Sequence, residues 1–159
     1  MSSGEVYFLR HGESRFNSGI APNEFDCGLT DQGKEHAKQL FGNVDLVIVS
    51  PLKRAQETLA HSTIKAKHVW VSQLCRERRS VSNCDYFADE VVVSGSDEVS
   101  GGPPETDLQF GRRVLEFRNL LDILRRVFPK ILVVAHGIFI MSVTGRTQPI
   151  QNCEFFQWL

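Results

Sequence analysis

Two histidines and two arginines stand at matching places in this sequence. Arg10 and His11 follow the apolar run Val6-Tyr7-Phe8-Leu9, and His136 follows Ile131-Leu132-Val133-Val134-Ala135. Arg54 comes shortly after Leu46-Val47-Ile48-Val49, through Ser50-Pro51-Leu52-Lys53. Ligands of open α/β sheets gather at the C-terminal ends of the strands, so the three clusters converge on one crevice. Helices that start there add backbone N–H donors and a positive dipole end, which suits an anion.

The residue types set the chemistry. Arginine is a permanently charged fork that matches phosphate oxygens. A neutral imidazole beside it can attack phosphorus in line, and nearby guanidinium charge keeps that imidazole unprotonated at neutral pH. Water would then hydrolyse the phosphohistidine formed. The second histidine donates hydrogen bonds to the transferring group and spreads its charge. An acid is still needed to protonate the leaving oxygen.

The elements that must position these groups follow from the hydrophobic pattern. Apolar runs at Val6–Leu9, Leu46–Val49, His68–Val71 and Ile131–Val134 alternate with helical stretches. That alternation predicts a single three-layer α/β/α domain over residues 1–159, with a mostly parallel central sheet. The continuous runs suit strands covered on both faces. Thr30 caps a helix to about Leu40, and Ser50-Pro51 opens a second toward Ala60. The longest helix starts at Thr106, where Gln109 completes a capping box, and presents Phe110, Val114, Phe117, Leu121 and Leu124 before Pro129. A last helix follows Gly137, and Glu154 to Trp158 reads as a closing strand. Residues 78–105 form a long acidic loop with Gly95, Gly101, Gly102, Pro103 and Pro104, in which Val91-Val92-Val93 is a short helix or strand. Loops of that length inside a compact domain tend to be functional lids or poorly ordered.

The 159 residues suit one domain, and a net charge of -1 steers the chain toward neither nucleic acid nor a membrane surface. The longest apolar stretch is cut by His136-Gly137 and is too short to span a bilayer. Cys27, Cys75, Cys84 and Cys153 form no Cys-x-x-Cys pair, so reduced thiols in a cytoplasmic protein are the simpler expectation. His36, His61 and His68 share no spacing with carboxylates that marks a metal site. No metal and no organic cofactor is expected.

Leu9-Arg10-His11-Gly12-Glu13-Ser14 with Asn17 resembles the signature of the histidine phosphatase superfamily, the phosphoglycerate-mutase-like enzymes. Leu29-Thr30 with Gly33 and Ala37 is similar to a further block of that family. Ser50-Pro51-Leu52 with Arg54-Ala55 and Thr58 resembles its second arginine motif, and Ala135-His136-Gly137 its second histidine motif. One motif of three letters would be weak, but four in the right order, from residue 5 to about 145, are specific. The resemblance implies His11 as nucleophile, Arg10, Arg54 and His136 as phosphate pocket, and Asn17 as a further phosphate contact. It also implies an acid after the third strand, where Leu74-Cys75-Arg76-Glu77-Arg78-Arg79 offers Glu77, one place beyond the usual Leu-x-Glu spacing. Close arginines would lower the pKa of Glu77, whereas an acid needs it raised by burial.

Each residue also has a bland reading. Arg10-His11 alone is more often a strand-end surface pair, His136 a satisfied core histidine, and Asn17 the end of a turn. Glu77 among three arginines could form a structural ion-pair cluster, or Arg78 and Arg79 could meet a second anionic group of the substrate. The leading expectation is a phosphomonoester phosphatase working through phosphohistidine on a small phosphorylated substrate or a phosphoprotein. The alternatives are mutase-type phosphoryl transfer, a protein phosphohistidine phosphatase, and a non-catalytic phosphate-binding module. Phe155, Phe156 and Trp158 read as core, although an exposed edge strand there would support a dimer as well as a monomer.

Overall fold

In the computed structural model, which describes residues 2–80, 82–90, 92–93, 99–100 and 103–159, strands and helices alternate along the chain. They are β1 (Glu5–Arg10), α1 (Asp31–Lys38), β2 (Phe41–Val49), α2 (Lys53–His61), β3 (Thr63–Val71), β4 (Val92–Val93), β5 (Val99–Ser100), α3 (Asp107–Leu124), β6 (Lys130–Ala135), α4 (Gly137–Thr144) and β7 (Phe155–Gln157). The central sheet has five strands in the order β3-β2-β6-β1-β7. Its pairings are parallel except β1 with β7, which is antiparallel.

Side chains alternate between the two faces of a strand, and the packing follows that period. Val6, Phe8, Leu46, Ile48, Ile131, Val133 and Ala135 meet α3 and α4 on one face. Leu9, Val47, Val49, Leu132 and Val134 meet Ala55 and Leu59 of α2 and Leu40 on the other. Phe8, Phe117 and Phe139 are fully buried. Burying such a side chain contributes about 1.5–3 kcal/mol. Phe117 and Phe139 meet edge to face at 5.1 Å, which locks α3 to α4. The layers are therefore those the alternation of runs predicts.

Caps hold where the side chains allow them. Thr30 Oγ1 accepts from Gly33 N at 2.9 Å, and Thr106 and Gln109 form the reciprocal capping box. The start of α2 differs from expectation. Leu52 is extended, the helix begins at Lys53, and Ser50 is not its cap. Instead the Ser50 hydroxyl is drawn to His136, described below. The third strand differs too: β3 is one of the two edge strands of the sheet, and Val69, Trp70 and Val71 are exposed. Its apolar run does not mark cover on both faces.

Residues 78–105 hold two short 3-10 turns, Asn83–Asp85 and Ala88–Glu90, and the antiparallel β4–β5 pair. Val92–Val93 is thus a strand, while Val91, Gly95, Asp97, Glu98, Gly101 and Gly102 lie outside the described residues. The expectation of four reduced thiols is overturned: Cys27 and Cys84 are joined by a disulfide. Their 57-residue separation hides a contact that only the folded loops create. Cys75 and Cys153 are free. Among the described residues no helix is long and apolar enough to cross a membrane.

Candidate active site

The parallel register of β1 and β6 places Arg10 opposite Ala135, so His11 and His136 leave neighbouring strand ends side by side. Their ring centroids are 5.2 Å apart. β2 lies against the other edge of β6, and Ser50 N donates to Val134 O at 3.0 Å. α2, which follows, carries Arg54 across the same strand ends.

Hydrogen bonds define the His11 ring. Nδ1 lies 2.7 Å from Gly12 O, and a carbonyl only accepts, so Nδ1 bears the proton. Nε2 then carries the lone pair, and Arg54 Nε donates to it at 3.3 Å. Thr58 fastens the two elements together. Its Oγ1 accepts from Gly12 N at 2.9 Å and donates to Arg54 O at 2.7 Å.

His136 is the mirror case. Ser50 Oγ accepts from Leu52 N at 3.2 Å and lies 2.7 Å from His136 Nε2. Where the hydroxyl donates to Nε2 while accepting from Leu52, the ring proton lies on Nδ1. Among the described residues nothing accepts that proton, and the same is true of Arg10 Nε. Arg10 Nη1 donates to Ile150 O. Two buried donors near His11 thus lack a partner, while the His11 lone pair accepts from Arg54 Nε.

Burial sets the electrostatics. His11, Arg54 and His136 are 3%, 4% and 0% exposed. Desolvation, reinforced by Arg54 and Arg10, holds His11 well below the ordinary histidine pKa. Desolvation with Arg54, His11 and Arg10 does the same to His136. Both rings are neutral at pH 7.

Glu77 sits at the N-terminus of α4, the helix that opens at His136. Its Oε1 accepts from Phe139 N at 2.9 Å and Arg78 N at 2.9 Å, and Oε2 from Ile138 N at 3.1 Å. Burial pushes its pKa up, against the pull of those N–H donors and of Arg54. Of the two opposing effects that the sequence set at Glu77, burial is the larger. Arg76 and Arg79 pair with Glu90, and Arg78 pairs with Asp107 at 2.5 Å. Among the described contacts neither Arg78 nor Arg79 touches His11, Arg10, Arg54 or His136; both are held by carboxylates of the same chain.

Asn17 is exposed, and its Oδ1 accepts from Ser14 Oγ at 3.0 Å and from Asn152 Nδ2 at 3.3 Å. Asn152 Nδ2 also donates to His11 O at 3.1 Å, so Asn17 borders the His11 loop. Ser50, read as a helix cap, and Asp85, read as part of an acidic loop, are site neighbours whose roles sequence reasoning missed. Asp85 Oδ1 accepts from Arg54 Nη2 at 2.9 Å. Among the described residues no cluster of three or more His, Cys, Asp or Glu could hold a metal ion.

The fold and this arrangement define an α/β protein that gathers two histidines and two arginines at the C-terminal ends of its parallel strands. A family model for the histidine phosphatase superfamily (branch 1) matches residues 6–158, and the chain belongs to that superfamily. No curated protein matches the chain significantly. Solved structures share the fold. An open reading frame of Mycobacterium tuberculosis has a TM-score of 0.68 at 20% identity, over 98% of this chain and 91% of that one. The alpha-ribazole phosphatase of Shigella flexneri gives 0.68 at 16% identity, over 96% and 89%. A mycobacterial glucosyl-3-phosphoglycerate phosphatase gives 0.62 at 16%, over 98% and 90%.

Proposed function

We propose that the protein is a phosphomonoester phosphatase in which His11 Nε2 is the nucleophile. The observation that carries this reading is the buried, unprotonated His11 Nε2, which accepts from Arg54 Nε at strand ends that also bring in two donors without partners, Arg10 Nε and His136 Nδ1. A phosphoryl group entering there draws Arg54 Nε from His11 onto one of its oxygens and frees the Nε2 lone pair to face phosphorus, with Arg10 and His136 as further donors. His11 attacks, the P–O bond to the leaving oxygen breaks, and Arg10, Arg54 and His136 hold the negative charge. Water then attacks phosphohistidine and frees His11.

Glu77 is the acid of this scheme. A carboxylate has about four lone-pair positions. Three are met by backbone N–H groups, and the one remaining, on Oε2, can take a proton that the raised pKa retains. Small phosphorylated metabolites are the substrate class, as they are for the two named phosphatases that share the fold.

Acid-labile labelling of His11 by an aryl phosphate, with turnover measured beside it, tests the scheme. Wild type should label and turn over, and His11→Ala should do neither. A wild type that binds inorganic phosphate without labelling would make the chain a phosphate-binding module instead. Glu77→Gln should slow alkyl phosphates by about 10²–10⁴-fold but aryl phosphates, whose leaving oxygen needs little help, far less. Equal losses on both would make Glu77 only the cap of α4.

A further inference from the structure

Arg54 has five N–H donors in a rigid plane, and their outer edge is taken by two successive residues of the Asn83–Asp85 turn. Nη1 donates to Cys84 O at 2.7 Å and Nη2 to Asp85 Oδ1 at 2.9 Å. The inner edge, Nε, faces His11 Nε2. The two partners are themselves held. Asp85 Oδ2 accepts from Ser80 Oγ at 2.9 Å, and Asp85 O accepts from Arg76 Nη2 at 2.9 Å. Cys84 is tied by its disulfide to Cys27, in the loop that leads into α1. The Arg54–Asp85 pair is almost wholly enclosed, with side chains 5% and 10% exposed.

An arginine that must meet a phosphoryl group gains from a fixed plane, because a misplacement of about 1 Å costs roughly 100-fold in rate. α2 alone does not fix it, since a long side chain on a helix has several rotamers. The turn supplies what the helix does not.

We propose that Asp85, with the carbonyl of Cys84, is a positioning clamp for Arg54, fixing the guanidinium plane beside His11 so that its other donors meet the phosphoryl oxygens. Asp85 touches no reacting atom and acts through Arg54. This assignment rests on the phosphatase reading for its consequence in rate, though not for its consequence at His11. The charged and titratable groups facing His11 are Arg10 from β1, Arg54 from α2 and His136 at the start of α4. Desolvation is the largest cause of the lowered His11 pKa, and a loosened Arg54 removes one of the two cations that reinforce it.

The test compares Asp85→Asn, which keeps the shape and removes the charge, with Asp85→Ala, which removes the contact. Thermal unfolding first shows that each is folded. His11 is then titrated by NMR in the full chain, the affinity for inorganic phosphate is measured, and an aryl phosphate is turned over. In Asp85→Ala the His11 pKa should rise toward the ordinary histidine value and kcat/KM should fall by about 100-fold. Phosphate affinity should fall with it, and Asp85→Asn should lie between Asp85→Ala and wild type. An unchanged His11 titration and unchanged phosphate affinity in folded Asp85→Ala would overturn the clamp while leaving the phosphatase reading intact. Tighter phosphate binding in either variant would also overturn it, because Asp85 would then be a competitor for Arg54. A wild type without turnover would instead strike the phosphatase reading, and the NMR arm would still decide the clamp.

Discussion

At the scale of single residues, proton placement decides what the two histidines can do. His11 gives its Nδ1 proton to Gly12 O and keeps a lone pair at Nε2. His136 Nε2 lies 2.7 Å from Ser50 Oγ, and a hydrogen bond accepted there keeps the ring proton on Nδ1. The proposed nucleophile and the proposed donor thus differ in where the ring proton sits, although the side chains are chemically the same. Ser50→Ala should release the His136 tautomer and lower kcat by up to about 100-fold, less than loss of the donor itself in His136→Ala. KM should change little. If Ser50→Ala turned over like wild type, the hydroxyl would have no part in setting the proton.

At the scale of elements, the close approach of α1 to the loop after β1 holds His11 in place. Gly33, buried in α1, packs so tightly there that a Cβ would lie 2.2 Å from Glu13 O. Glu13 O also accepts from Thr30 N at 3.0 Å, so backbone rather than a flexible side chain would have to give way. Gly33→Ala should cost about 1–3 kcal/mol in urea unfolding, and kcat should fall with it because Gly12 and His11 belong to the displaced loop. A stability loss with unchanged kcat would show that the strain is absorbed in α1. Thr58 does the corresponding work on the other side, joining Gly12 to α2.

At the scale of the whole molecule, burying a charge-prone site has a pH signature. The pKa values of His11 and His136 are lower folded than unfolded. Below about pH 6.5 the unfolded chain therefore takes up protons that the folded chain refuses, and stability falls with pH. Glu77 has the opposite sign. Its folded pKa lies above the ordinary carboxyl value, so the stability it contributes is lost as pH rises through that raised pKa. Melting temperatures of wild type should thus fall from pH 7 toward pH 5, and replacing both histidines by asparagine should flatten that slope. An unaltered slope in the double variant would place the proton uptake elsewhere. For the same reason kcat/KM should persist below pH 6.5, where an ordinary histidine is already protonated.

The α/β layering was legible because a strand's period of two and a helix's of 3.6 are local properties of the chain. So were the Arg10-His11, Arg54 and His136 clusters, since polar residues directly after apolar runs fall at strand ends wherever the sheet is parallel. Three things were not legible, because each joins residues distant in sequence and depends on how loops settle across the strand ends. The Cys27–Cys84 bond makes a pair of two widely spaced thiols. Ser50 left its expected place as a cap when β2 packed beside β6 and His136 came within reach. Arg78 and Arg79 found acidic partners from elsewhere in the chain, whereas Asp85 folded back onto Arg54. The sequence by itself determined which groups meet at the sheet edge. Only the tertiary structure decided where their protons sit and what holds the arginine still, because hydrogen-bond direction depends on angstrom-scale distances that residue order does not encode.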